Sequence, residues 1–334
     1  MDTWETVAWT RALPLLLIAL GCGTEERQPR TELPSEPRQY EVETLPPLAV
    51  GEDRKGSCKD DSTDCYYPDP ATTSSPNLDC VGTRTWPETG ALVKHSFRLE
   101  DFLTYEPVAG ACVNFYLDNQ VPPKDTCDGS HTTDKDGLLT VEAPENAVIA
   151  YRVFPLEGSN AADTFVDTIE TDFLLRAVES TSVGTAISLG ALNLIPTILQ
   201  LRRKTGTALL AATVRDCDGD LLFGARTLVY TTDGRFVGEG ETVSDPHLRY
   251  FNGAGLPSAD QPWIHVDGVF AVMNLPPTEE EYVVEIWGRR KAGEAPERIS
   301  CERFPVFPDS LSLMQLRPSR AGGPACVGTA PEGW

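Results

Sequence analysis

The chain has 334 residues, nine cysteines and a formal net charge of −22, from 28 Lys+Arg against 50 Asp+Glu. That balance excludes a nucleic-acid binder that works by counterion release, and 40% hydrophobic residues are enough to build cores, which excludes wholesale disorder. About two domains fit the length, 27 Pro and 27 Gly favour turns over long helices, and nine cysteines point to an oxidising compartment.

Residues 12–21 read A-L-P-L-L-L-I-A-L-G and run into Cys22. This apolar run is about half the ~20 residues that span a bilayer. It has the length of a signal-peptide core, so residues 1–21 are read as a signal peptide. Ala19-Leu20-Gly21-Cys22 resembles the bacterial lipobox. That resemblance implies cleavage before Cys22, a lipid on its sulfur and a membrane anchor. Gly23 in the next position implies the outer membrane of the cell envelope. An ordinary signal peptide followed by an incidental cysteine is the competing reading.

Residues 22–80 are read as a lipidated cysteine and a flexible acidic tether. The stretch 23–57 carries Glu25, Glu26, Glu32, Glu36, Glu41 and Glu43 among five prolines, with few large apolar residues. Such a segment buries too little surface to offset its ordering entropy. It would hold the folded part away from the membrane.

With Cys22 set aside, eight cysteines remain: Cys58, Cys65, Cys80, Cys112, Cys127, Cys217, Cys301 and Cys326. An even number fits four disulfides, although eight cysteines allow 105 connectivities. Cys112 with Cys127 is the expected local pair, and Cys217 with Cys301 the expected long-range staple. A zinc site is the rival reading. No C-x-x-C occurs and the four histidines are scattered, which favours disulfides.

Two stretches repeat one pattern. Residues 108–117 read V-A-G-A-C-V-N-F-Y-L, and residues 222–231 read L-F-G-A-R-T-L-V-Y-T. Each is a Gly-Ala step followed by a strand-like alternation. Downstream, Asp136-Gly137 and Asp267-Gly268 supply tight turns into another strand. Pro144 and Pro276 end that strand before the last one begins. Opening strands are expected at 92–99 and 209–216. Short strands at this spacing predict antiparallel sandwiches.

This pattern is similar to the carboxypeptidase regulatory-like domain, a transthyretin-like β-sandwich. The matching residues in the second copy are Val214-Arg215-Asp216-Cys217-Asp218-Gly219, Gly224-Ala225, Asp267-Gly268 and Leu275-Pro276. The first copy matches less closely, because its acidic turn, Glu100-Asp101, lacks a glycine. The resemblance implies a mainly β chain with two transthyretin-like or Ig-like modules, and no peptidase chemistry. The first sandwich is expected at 88–170, a connector at 171–204, the second sandwich at 205–318 and a tail at 319–334. Within the connector, apolar residues from Val183 to Leu199 recur at helical spacing. They predict a short helix over 182–195, capped by Thr181 or Ser182 and ended by Pro196.

Nucleophile elbows, zinc helices, phosphate loops and dinucleotide fingerprints are absent from the sequence. No catalytic residue and no cofactor are expected. Asp216, Asp218 and Asp220 form the sharpest acidic cluster and a weak Ca²⁺ candidate. The competing reading is a solvated Asx-type turn. Asp60, Asp61 and Asp64 invite the same two readings.

The second copy carries about 17 extra residues between Gly-Ala and Asp-Gly, covering 247–263. Loops on a rigid sandwich are where binding usually sits. Tyr250, Phe251 and Trp263 can stack on a sugar, with Asn252 and Asp260 hydrogen-bonding its hydroxyls. Burial of the same aromatics in the core is the alternative. Three functions follow. The first is a non-catalytic exported lipoprotein whose modules have a structural role or bind a protein partner. The second is a carbohydrate-binding module with a glycan partner. The third is a hydrolase using carboxylates such as Asp216 and Asp218.

Overall fold

The computed structural model describes residues 45–57, 64–102, 104–122, 125–155, 165–175, 181–199, 201–240, 242–252, 256–258, 261–278, 280–326 and 328. The described chain is mainly β, with one helix. A hairpin opens it: β1 (Val50–Ser57) pairs antiparallel with β2 (Asp64–Ser74). The first sandwich uses β3 (Leu92–Asp101), β4 (Ala111–Tyr116), β5 (Leu138–Pro144), β6 (Val148–Pro155), β7 (Thr168–Leu174) and β8 (Ser182–Ala186). Helix α1 (Leu189–Ile198) follows. The second sandwich contains β9 (Ala208–Val214), β10 (Arg226–Thr231), β11 (Phe236–Val237), β12 (His247–Phe251), β13 (Pro257–Ser258), β14 (Val269–Leu275), β15 (Tyr282–Gly288), β16 (Glu297–Phe304) and β17 (Leu311–Leu316).

The sequence repeat is a repeat of strand pairing. In the first sandwich β3 pairs antiparallel with β5 and parallel with β8. In the second, β9 pairs antiparallel with β14 and parallel with β17. The facing sheets repeat too, as antiparallel β4-β6-β7 and β10-β15-β16. Gly137 and Gly268, the glycines of the two Asp-Gly turns, have φ of 72° and 65°. A Cβ would lie 2.6 Å from the Leu99 carbonyl at Gly137 and 2.9 Å from the Val214 carbonyl at Gly268. Both turns therefore need glycine twice over, for the backbone angle and for the close approach.

The two sandwiches are not beads on a string. Strand β17 pairs parallel with β9 on one side and with β7 of the first sandwich on the other. The result is one eight-stranded sheet, β13-β12-β14-β9-β17-β7-β6-β4. The inserted residues of the second copy extend its far edge as β12 and β13. One face of the β14-β9-β17 segment packs Leu210, Phe270, Val272 and Met314 onto Val229, Val284 and Ile286 of the facing sheet. The other face packs Leu209, Ala271, Met273 and Leu311 under Ala191 and Leu192 of α1. A segment covered on both faces needs a near-continuous apolar strand, and β9 reads ALLAATV.

Several expectations are corrected here. Residues 182–186 form strand β8, not the start of a helix, because alternate residues are buried there and β3 pairs with them. Gly184 sits on the Phe97 ring, where a Cβ would approach to 2.2 Å. The helix starts seven residues later than expected (189 against 182) and is capped by Ser188, whose Oγ accepts the Ala191 N–H. Pro196 lies inside its last turn. The tether expected to run to residue 80 is instead packed from Leu45 onward: Leu45, Leu48, Ala49 and Leu78 are buried. Strand β7 crosses the expected boundary at 170, since it completes the first sandwich and carries the joint.

Three disulfides are present among the described residues, and each pins an irregular segment against the sheets. Cys112–Cys127 ties down the chain after β4, where Val113 and Thr133 N–H groups bond the His131 and Ala111 carbonyls. Cys301–Cys326 lays the C-terminal segment along edge strand β16, with the Ser319 N–H donating to the Ile299 carbonyl at 2.8 Å. Cys80–Cys217 fixes the strap after β2 to the turn after β9. Covered edges offer no template to another strand. The local pair Cys112–Cys127 is as expected. The expected Cys217–Cys301 pair is corrected, because Cys217 turns to the N-terminal strap and Cys301 to the tail. Cys58, the Cys65 side chain, and the Cys22 anchor lie outside the described residues.

Candidate functional site

A cleft of about 320 Å³ lies where the 74–79 strap meets the turn after β9. Ser74, Asn77, Asp79, Asp218, Asp220 and Arg290 contribute to its lining. The turn is built by Asp216. Its Oδ1 accepts the N–H groups of Asp218, Gly219 and Asp220, each at 3.0 Å. Its Oδ2 accepts the Asn77 N–H at 2.9 Å. Burial pushes the Asp216 carboxyl above the usual carboxylate range, and these backbone donors pull it back. Asn77 closes the contact by donating from Nδ2 to Asp218 Oδ1 at 3.0 Å. The Cys217 N–H donates to the Asn77 carbonyl at 2.9 Å beside the Cys80–Cys217 bond.

Asp216 is therefore the keystone of a turn, as in the Asx reading. Four N–H donors occupy its two oxygens, which leaves it poorly placed to ligate Ca²⁺. Asp218 and Asp220 are exposed on the turn. This arrangement gives no desolvated carboxylate pair for hydrolysis. Asp60, Asp61 and the Asp64 side chain lie outside the described residues. A second ligand-like group is Glu285, Cys301 and Cys326, whose donor atoms lie within 4.8 Å of one another. The two sulfurs are bonded to each other. Glu285 accepts Trp287 Nε1–H at 3.0 Å, the Gly328 N–H at 2.8 Å and Arg298 Nη1–H at 3.4 Å. Its role is to hold the tail.

The residues of the inserted segment do not converge on one open face. Tyr250 is 6% exposed and sits in the main core of the second sandwich, its Oη accepting the Thr227 N–H at 2.8 Å. Trp263 is 2% exposed and belongs to a different cluster, with Leu45, Ala49 and Phe223. Its Nε1–H donates to the Tyr66 carbonyl at 2.9 Å, and its ring meets Tyr67 edge-on. Phe251 packs against the helix-side cluster. Asn252 closes the loop, its N–H donating to the Leu256 carbonyl at 2.8 Å. Asp260 lies outside the described residues. Neither Tyr250 nor Trp263 offers a ring face to a sugar, because each serves as a core residue with its polar tip satisfied.

The joint itself is the most elaborated feature. Arg152 of β6 forms a bidentate pair with Asp167, with Nε at 2.9 Å from Oδ1. Its guanidinium carbon lies 4.5 Å from the Phe154 ring centroid and 4.2 Å from that of Phe307. Phe307 belongs to the loop between β16 and β17, so this stack bridges the two sandwiches. Beside the C-terminal segment, Glu302 pairs with Arg84 and Arg320, and both guanidiniums lie on the Trp86 ring. The sequence reading missed these residues. Lone arginines and aromatics carry no motif, and nothing in the pattern of residues 74–86 places them on the second sandwich.

No protein-family model and no curated protein matches the chain. Among solved structures it is similar to a Bacillus anthracis TIE protein, at 12% identity and a TM-score of 0.21, covering 68% of this chain and 34% of that one. It is also similar to the shaft pilin SpaA from Lactobacillus rhamnosus GG, at 14% identity and a TM-score of 0.21, covering 72% and 100%. The minor pilin of Streptococcus agalactiae gives 11% identity and a TM-score of 0.21, covering 70% and 100%. The chain thus spans about a third of the first of these. Likenesses at this level assign neither a family nor a function. No helix among the described residues is long and apolar enough to cross a membrane.

Proposed function

We propose that the chain is an exported, non-catalytic protein of the cell envelope, held by a lipid on Cys22, whose fused sandwiches form a rigid structural or binding unit. The observation that supports this most is the eight-stranded sheet running through both modules. A hinge between modules serves closure around a substrate, whereas a shared sheet fixes them relative to each other. The three disulfides among the described residues, two of them at the edge strands β4 and β16, suit a protein outside the reducing cytosol. The acidic exterior suits solubility and repels like-charged neighbours. Two or more acyl chains give a stable anchor. Replacing Cys22 with Ala and fractionating the cells tests the reading. The wild-type protein is expected in the membrane fraction and the variant in the soluble fraction. Unchanged membrane retention of the variant would overturn the anchor.

A further inference from the structure

The joint contains a buried carboxyl that the structural role described above does not use. Glu170 of β7 is 6% exposed. From β6, Tyr151 Oη–H donates to its Oε2 at 2.5 Å. From β17, across the joint, Gln315 Nε2–H donates to its Oε1 at 3.3 Å. From β8, the Thr185 N–H donates to Tyr151 Oη at 2.8 Å, and the Thr185 carbonyl lies 3.3 Å from the same oxygen.

Among the described residues these are the groups bonded to the carboxyl or to its tyrosine partner, and none of them is a cation. Arg152 follows Tyr151 on β6 and so belongs to the opposite face of the sheet, paired with Asp167. Asp101 of β3 is engaged by Thr104. Asp172, beyond a bulge in β7, is bonded to Asn119 and faces Glu302 and Arg320.

Two hydrogen-bond arrangements are available. With a neutral Glu170, its O–H donates to Tyr151 Oη, and the tyrosine proton turns to the Thr185 carbonyl. With an ionised Glu170, the tyrosine proton returns to the carboxylate and the Thr185 carbonyl loses it. The second arrangement leaves a charge buried with two neutral donors and no counter-ion among the described residues, which is costly. We propose that Glu170 makes the joint between the sandwiches a proton-dependent clasp, tight around the neutral carboxyl and loosened when it ionises.

Burial pushes Glu170 up to about 7. A raised carboxyl adds stability that is complete below its unfolded value, near 4.5, and is lost as pH rises through about 7.

Asp172 is raised to about 6 by burial, so the test uses an Asp172→Asn background. Amide hydrogen exchange is measured from about pH 5 to pH 9 and normalised to the intrinsic rate. The paired segments 168–171 and 311–314 are expected to lose at least about tenfold of their protection progressively between about pH 5 and pH 7, with a midpoint near pH 6 and a plateau above pH 7, while 226–231 and 282–287 hold theirs. Glu170→Gln keeps the shape and should abolish this titration. Tyr151→Phe removes a donor to the carboxylate and should move the midpoint to higher pH, a shift that a purely structural tyrosine would not produce. Protection independent of pH, a titration that persists in Glu170→Gln, or a midpoint that Tyr151→Phe leaves in place or lowers would each overturn the clasp.

Discussion

Arg152→Ala perturbs the joint without touching the backbone pairing. Three contributions are lost: the paired charge, two ring contacts and the packed stem. The Asp167 partner is 22% exposed in its side chain and Arg152 8%, so the pair is largely shielded from water. Breaking such a pair from one side costs about 3–5 kcal/mol, because the other charge stays behind. Each ring contact, at 4.5 and 4.2 Å, adds about 0.5–2 kcal/mol in a desolvated setting. Shared geometry makes these values overlap, so the expected loss is about 4 kcal/mol. Urea unfolding at fixed pH reads it as a lower midpoint with an unchanged slope. Arg152→Met with Asp167→Asn removes both charges and keeps the stem, and should cost less than about 2 kcal/mol. A loss below about 1 kcal/mol for Arg152→Ala, or a double variant as unstable as the single, would refute the role given to this stack.

The disulfides should rank by the loop each closes. The separations of 137, 25 and 15 residues correspond to about 5, 3.5 and 3 kcal/mol in the chain-entropy model, and paired Cys→Ser variants in denaturant melts check the order. Gly184→Ala should destabilise by about 1–3 kcal/mol through its clash with Phe97, whereas Gly190→Ala, whose Cβ meets nothing closer than Ser188 Oγ at 3.9 Å, should stabilise by up to about 1 kcal/mol. Thermal melts of the two variants should therefore move in opposite directions. Tyr250→Ala should cost about 3–5 kcal/mol in unfolding, and a glycan array probed with the wild-type chain should show no binding that depends on that ring.

Much of the fold was legible because β physics is local in the right places. Gly-Ala and Asp-Gly steps mark turns whose backbone angles few residues adopt, and they located both modules. The local Cys112–Cys127 pair was legible for the same reason. What the sequence could not show was long-range. Strand β17 has two edges, and nothing in Leu311–Leu316 says that the second belongs to β7. The 182–186 segment carries a helical apolar spacing, and only the parallel partner β3 and the Phe97 ring over Gly184 make it a strand. Aromatic residues in an insertion read equally as platform or core. The structure resolves Tyr250 and Trp263 as core because Thr227 and Tyr66 supply backbone partners for their polar tips.

The central claim is that one sheet makes the two sandwiches a single unit. Differential scanning calorimetry of the disulfide-intact chain near pH 5 tests it most directly. A single transition is predicted, with calorimetric and van't Hoff enthalpies in agreement. Two resolved transitions, each carrying the enthalpy of one sandwich, would contradict it.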